Sequence, residues 1–124
     1  YRVFSQLKCD LNLKGANLSG TDLHGADLSG VNLSGANLSG ANLTHADLSN
    51  AKLSNADISK ATLNSAELIA ADLNNANLSG ASLRGADLRR TNLNDANLSN
   101  TNLIVVKLRM ADLRRANLKG ANLG

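Results

Sequence analysis

Carboxylates recur at intervals of twenty residues: Asp27, Asp47, Glu67 and Asp87, with Lys107 at the next interval. Hard divalent cations take oxygen ligands, so four converging carboxylates would suit one. The plainer reading is a solvated, partly neutralised stripe. Serines follow the same interval at 19, 39, 59, 79 and 99, ending in Lys119. A flat row of hydroxyls would suit ice or polysaccharide, yet serine is also an ordinary corner residue that bonds nearby backbone. His24 and His45 would begin a transition-metal site, but no cysteine completes it. The glycines recur as regular punctuation, not as a strand-to-helix phosphate loop. Ser, His and Asp occur without a predicted pocket or a buried base to activate a nucleophile. These residues predict no enzyme, no cofactor and no metal.

The intervals of twenty are multiples of a stricter period. From Leu13 to Leu123 every fifth residue is leucine except Ile58, and from position 16 onward the residue two places earlier is Ala in 17 of 22 units. A helix advances ~100° per residue, so a five-residue step scatters leucines around its circumference. A long strand fails too, because five is odd and side chains alternate with a period of two. What remains is three extended residues and a two-residue corner. In Ala36-Asn37-Leu38-Ser39-Gly40, Ala36 and Leu38 face inward, Asn37 faces outward, and Ser39-Gly40 turn the chain. Repetition coils the chain into a solenoid. The period alone leaves the number of sides open, with three as well as four admissible.

Stretches such as ANLSGANLTHADLSNAKLSNADIS (residues 36–59) resemble the pentapeptide-repeat family, A(D/N)LXX, over about 90% of the chain. The resemblance implies an all-β fold: a right-handed quadrilateral parallel β-helix with about 20 residues per coil and nearly six coils. At ~4.8 Å between coils the rod would be ~25–30 Å long. Residues twenty apart would then stack in columns, with His24 and His45 as diagonal neighbours.

Domain organisation follows: a cap over residues 1–12 and one repeat domain over 13–124. Lys8 falls at a leucine phase, which a core excludes, so the register starts at Leu11 to Leu13. Phe4 and Leu7 are expected to cover the first coil as a lid. The opposite end stops in mid-pattern at Gly124, which suggests missing sequence or an end-to-end homodimer through the C-terminal coil. No apolar run approaches the ~20 residues of a membrane span. One cysteine, Cys9, excludes an internal disulfide. The expected setting is the cytoplasm; a removed leader would place the chain in a periplasm or thylakoid lumen.

Net charge is +3, unevenly spread. Residues 1–83 carry five Lys/Arg and seven Asp/Glu; residues 84–124 carry eight and three, hence +5. Apolar residues break the polar corners at Ile69, Ile104, Val105 and Met110, beside Arg89, Arg90 and Arg109. Apolar groups flanked by arginine are typical of contact sites, so these seven residues are the candidate protein-contact surface. The expected function is a non-enzymatic structural or interaction module presenting a rigid rod to an unidentified protein partner. The family resemblance fits that reading, since most members lack an assigned activity and many are cyanobacterial. An alternative comes from the quinolone-resistance members, which mimic DNA and bind a type II topoisomerase, though this chain is basic where they are acidic. A third reading is non-specific nucleic-acid binding through the basic C-terminal third. The region lacks aromatics to stack on bases, so nucleic acid is not the expected partner. No small-molecule substrate or membrane contact is expected.

Overall fold

In the computed structural model, which describes residues 11–124, most five-residue units satisfy their backbone in one way, and that wiring dictates the coil. Within Ala36–Gly40, the Leu38 N–H donates to the Asp57 carbonyl (2.7 Å) and the Gly40 N–H to the Ser59 carbonyl (2.9 Å), both one turn ahead. The Asn37 N–H donates one turn back to the Ala16 carbonyl (2.8 Å). The Ala41 N–H closes the corner on the Leu38 carbonyl (3.0 Å). Only the Ser39 N–H lacks a backbone partner, and it donates to Asn37 Oδ1 (3.0 Å). A buried N–H left without an acceptor would oppose folding, and none is left here.

Parallel bridges accordingly join residues twenty apart, from Asn12↔Asn32 to Asn102↔Asn122. Each turn of chain therefore holds four bridged sides and four corners. The sides are called first to fourth after Asn12, Asn17, Asp22 and Asp27, and each corner takes the number of the side before it. One residue per unit is bridged, because corners every five residues leave no room for a longer strand. The cap expected over 1–12 falls, as far as residue 10, outside the described residues.

The interior is a column of Leu over Ala. From Leu28 to Leu98 the inward leucines and Ile58 are at most 2% exposed. Thr91 and Thr101 replace inward alanines and stay buried because their hydroxyls donate to the Leu68 and Leu98 carbonyls, each at 2.7 Å. That bond removes the penalty of an unpaired buried hydroxyl.

Every corner places its fifth residue at positive φ, from Gly15 to Gly120. With the third carbonyl accepting from the next unit's first N–H, this is the pattern of a type II turn. Thirteen of these residues are not glycine, including β-branched Val105 at φ 51°.

The residue expected to be a mere outward decoration proves structural. In all 18 units whose second residue is Asn or Asp, its Oδ1 accepts the fourth residue's N–H. This Asx bond ties each side to its corner. Asn37 is therefore not the indifferent surface residue its outward direction suggests. Among the described residues no helix is long and apolar enough to cross a membrane.

Candidate interaction surface

The repeat's rules are broken most heavily at the fourth corner. Its early coils carry Ser29-Gly30 and Ser49-Asn50; its later coils carry Ile69-Ala70, Arg89-Arg90 and Arg109-Met110. Only five units lack Asn or Asp at the second position, and two of them, with Glu67 and Lys107, lead into this corner. The Asx bond is thus absent at Ile69 and Arg109. Arg90 and Met110 also stand at positive φ where glycine would be easier. Departures from the locally stable choice that gather in one place point to a use other than folding.

Ile69, Arg89, Arg90, Arg109 and Met110 line a groove of about 380 Å³ there. Met110 is 71% exposed. The structure thus brings five of the seven candidate residues together. Ile104 and Val105 stand at the third corner, across the fourth side from the groove, and do not line it. Val105 is 69% exposed, whereas Ile104 is half-buried and lies close to Gly124. Val106, next in the chain, points inward and packs on the core.

The basic charge is sorted as well. Arg89 grips Asp87 with two bonds, Nε to Oδ1 at 2.8 Å and Nη2 to Oδ2 at 2.7 Å. Arg114 holds Asp112 in the same way, and Arg115 reaches one coil back to Asp95 (Nε to Oδ1, 2.7 Å). Each guanidinium holds its carboxyl below the usual range, Asp112 to about 2. Each pair is partly exposed and adds little to stability. Its effect is on the surface field: all three acids after residue 83 are neutralised locally. The surplus +5 then resides on Arg84, Arg90, Lys107, Arg109 and Lys119, none of which has an ion pair among the described residues. Arg90, Lys107 and Arg109 cluster on the fourth side and its corner.

These pairs were missed in the sequence, although the unit Ala-Asp-Leu-Arg-Arg stands twice, at 86–90 and 111–115. The carboxylate that caps the turn also faces the fourth residue's side chain, which was the available signal.

The carboxylates Asp27, Asp47, Glu67 and Asp87 do stack, bridged in succession up to Lys107. No group of three or more His, Cys, Asp or Glu that could hold a metal exists among the described residues. His24 and His45 meet edge to face with ring centroids 5.6 Å apart. In the serine column, the hydroxyls of Ser19, Ser39 and Ser59 donate to Asn17, Asn37 and Asp57 and so serve the corner.

The family model for pentapeptide repeats matches in eight copies, over residues 10–44, 32–68, 66–103 and 96–124. No curated protein matches the chain. Among solved structures, the chain is similar to HetL, a pentapeptide repeat protein involved in heterocyst differentiation regulation from the cyanobacterium Nostoc sp. strain PCC 7120. The two are 39% identical with a TM-score of 0.51, over 89% of this chain and 60% of HetL. A pentapeptide repeat protein from Cyanothece 51142 is 31% identical over 97% of this chain and 92% of its own, with a TM-score of 0.64. Another from Nostoc PCC 7120 is 31% identical over 95% and 94%, with a TM-score of 0.68. Full-length QnrB1, a plasmid-mediated fluoroquinolone resistance protein, shares the fold at 21% identity, over 92% of this chain and 82% of its own, with a TM-score of 0.52.

Proposed function

The chain belongs to the pentapeptide-repeat family, and we propose that it is a non-enzymatic interaction module that presents the fourth corner of a rigid rod to a protein partner. The family resemblance supports a right-handed, quadrilateral course for the repeats, with nearly six coils as the proposed count. The observation that carries the functional reading is the groove itself. Five candidate residues converge on it, two of them, Ile69 and Arg109, in units without the Asx bond, and two others, Arg90 and Met110, in the left-handed corner position. Arginine beside an exposed methionine and a half-buried isoleucine is a composition enriched at protein interfaces. A rigid scaffold suits this role, since its side chains need little further ordering on association.

The topoisomerase-mimic alternative gains nothing from the charge arrangement. A DNA mimic needs a continuous acidic surface, whereas here the acidic column ends in Lys107 and Asp87 is held by Arg89.

The test is capture of partners from an extract of the source organism, comparing the unaltered chain with Met110→Ser/Arg109→Glu. Lys60→Glu, at the diagonally opposite corner, is the control. A partner held by the unaltered chain and the control but lost by the double variant supports the reading. Equal capture by all three overturns it.

A further inference from the structure

The fourth side carries both signs of charge in order along the rod. Asp47 and Glu67 stand on one half; Lys107, Arg109 and Arg90 stand on the other. Between them Asp87 and Arg89 cancel each other. Such an order is self-complementary. When two copies meet face to face and antiparallel, a two-fold axis across the rods sets each column against itself in reverse. With the axis between the coils of Glu67 and Asp87, Asp47 faces Lys107 of the second copy. Glu67 comes level with Arg90 and with the neutralised Asp87–Arg89 pair. The groove's Ile69 lies beside the axis, next to Ile69 of the other copy.

The coil spacing favours this occupant over a flexible acidic peptide. Asp47 and Glu67 are bridged neighbours, as are Asp87 and Lys107, so successive charges on both halves follow one rise of ~4.8 Å. Same-facing side chains of an extended peptide are ~6.8 Å apart and fall out of step after one contact. A second copy has the matching rise by construction. We infer that two chains pair antiparallel through their fourth sides, Asp47 and Glu67 of each against Lys107 and Arg90 of the other. This goes beyond the partner reading, and the two contacts exclude each other because they use the same groove.

Four coils of one side span only ~15–20 Å, so the contact is small beside the ~1,200 Å² of a standard interface. Weak, salt-sensitive association is expected. The experiment is sedimentation of the full chain from 10 µM to 1 mM in 20 and 300 mM salt. It compares the unaltered protein with Asp47→Lys, Lys107→Glu and the double exchange. Glu and Lys both already occur in this column, at 67 and 107, so the coil accepts either, and circular dichroism verifies it. The expected result is a dimer at low salt and high concentration that each single exchange weakens at least tenfold and the double exchange restores. A monomer at 1 mM in low salt overturns the inference. So does association indifferent to the single exchanges, which would place the contact elsewhere, for instance at the C-terminal coil with its 63% exposed Leu123. A double variant that stays dissociated overturns it too. None of these failures touches the partner reading, whose test scores a different protein on the same groove.

Discussion

Replacing Val105 should make the protein more stable although the substitution removes apolar atoms. Val105 sits at φ 51° and is 69% exposed. An L-residue in the left-handed region costs roughly 1–2 kcal/mol, and a β-branched one lies at the upper end. Asparagine visits this region readily and occupies the same corner position at 50, 55, 75 and 100. With less than a third of the valine surface covered, the lost burial is worth only ~0.5 kcal/mol. Val105→Asn should therefore gain about 1 kcal/mol. Val105→Gly gains less, because glycine loses ~0.5–1 kcal/mol more entropy on folding. Val105→Ala keeps the Cβ and gains least. The order Asn, Gly, Ala, Val is the content of the prediction. Urea denaturation measures it globally. A solenoid unfolds from its ends, so hydrogen exchange gives the local readout at the Gly85 N–H, which donates to the Ile104 carbonyl (3.0 Å). Faster exchange or a lower midpoint in Val105→Asn would refute the strain argument and show that the valine is held by contacts.

Leu63→Ala should cost about 2–5 kcal/mol by hollowing a fully buried site, and Ala66→Leu should also destabilise, by about 1–3 kcal/mol, because the alanine column has no spare volume; denaturation midpoints check both. Asn37→Ala should cost about 0.5–1.5 kcal/mol, since Asn37 Oδ1 accepts from both the N–H and the hydroxyl of Ser39, at 3.0 and 2.7 Å; an unchanged midpoint would remove the Asx argument. Asp112 should titrate near 2 by carboxyl NMR. Its folded pKa lies below the unfolded value, so its stabilising contribution is complete above ~4 and lost as pH falls from ~4 toward 2. Arg114→Gln should raise the titration toward the ordinary aspartate range, the remainder of the depression coming from the backbone N–H of residue 114.

Legibility in the sequence followed the physics of each feature. The inward Leu and Ala columns could be read because a core position tolerates few residue types, so the period survives at all 23 leucine positions but one. The number of sides could not be read from a period of five, because any side count repeats the same unit; the resemblance supplied four, and bridges twenty residues apart agree with it. Asn and Asp at the second position looked like solvation because direction alone was considered. Their acceptor reaches back to the chain's own corner, so an outward side chain here is part of the backbone's wiring. The ion pairs Asp87–Arg89 and Asp112–Arg114 are local for the same reason.

The candidate surface illustrates a general consequence of such regularity. In a protein whose core, corners and sides all obey one five-residue rule, deviation is the only carrier of individual information. Thr91 and Thr101 deviate yet carry none, because buried carbonyls account for their hydroxyls. Lys52 forgoes the Asx bond singly, and Thr62 and Ser82 forgo it on successive coils of the third side, where Asn64 Oδ1 accepts from the Ser82 hydroxyl (2.6 Å) and the Arg84 N–H (3.1 Å) instead. At the fourth corner, missing Asx bonds at Ile69 and Arg109, left-handed Arg90 and Met110, the exposed Met110 side chain, and Arg90, Lys107 and Arg109 without an ion pair among the described residues gather within three coils. Each departure is tolerable alone because neighbouring coils hold the backbone. Their coincidence is not required by any packing need of the rod, which makes this corner the surface to test for a partner.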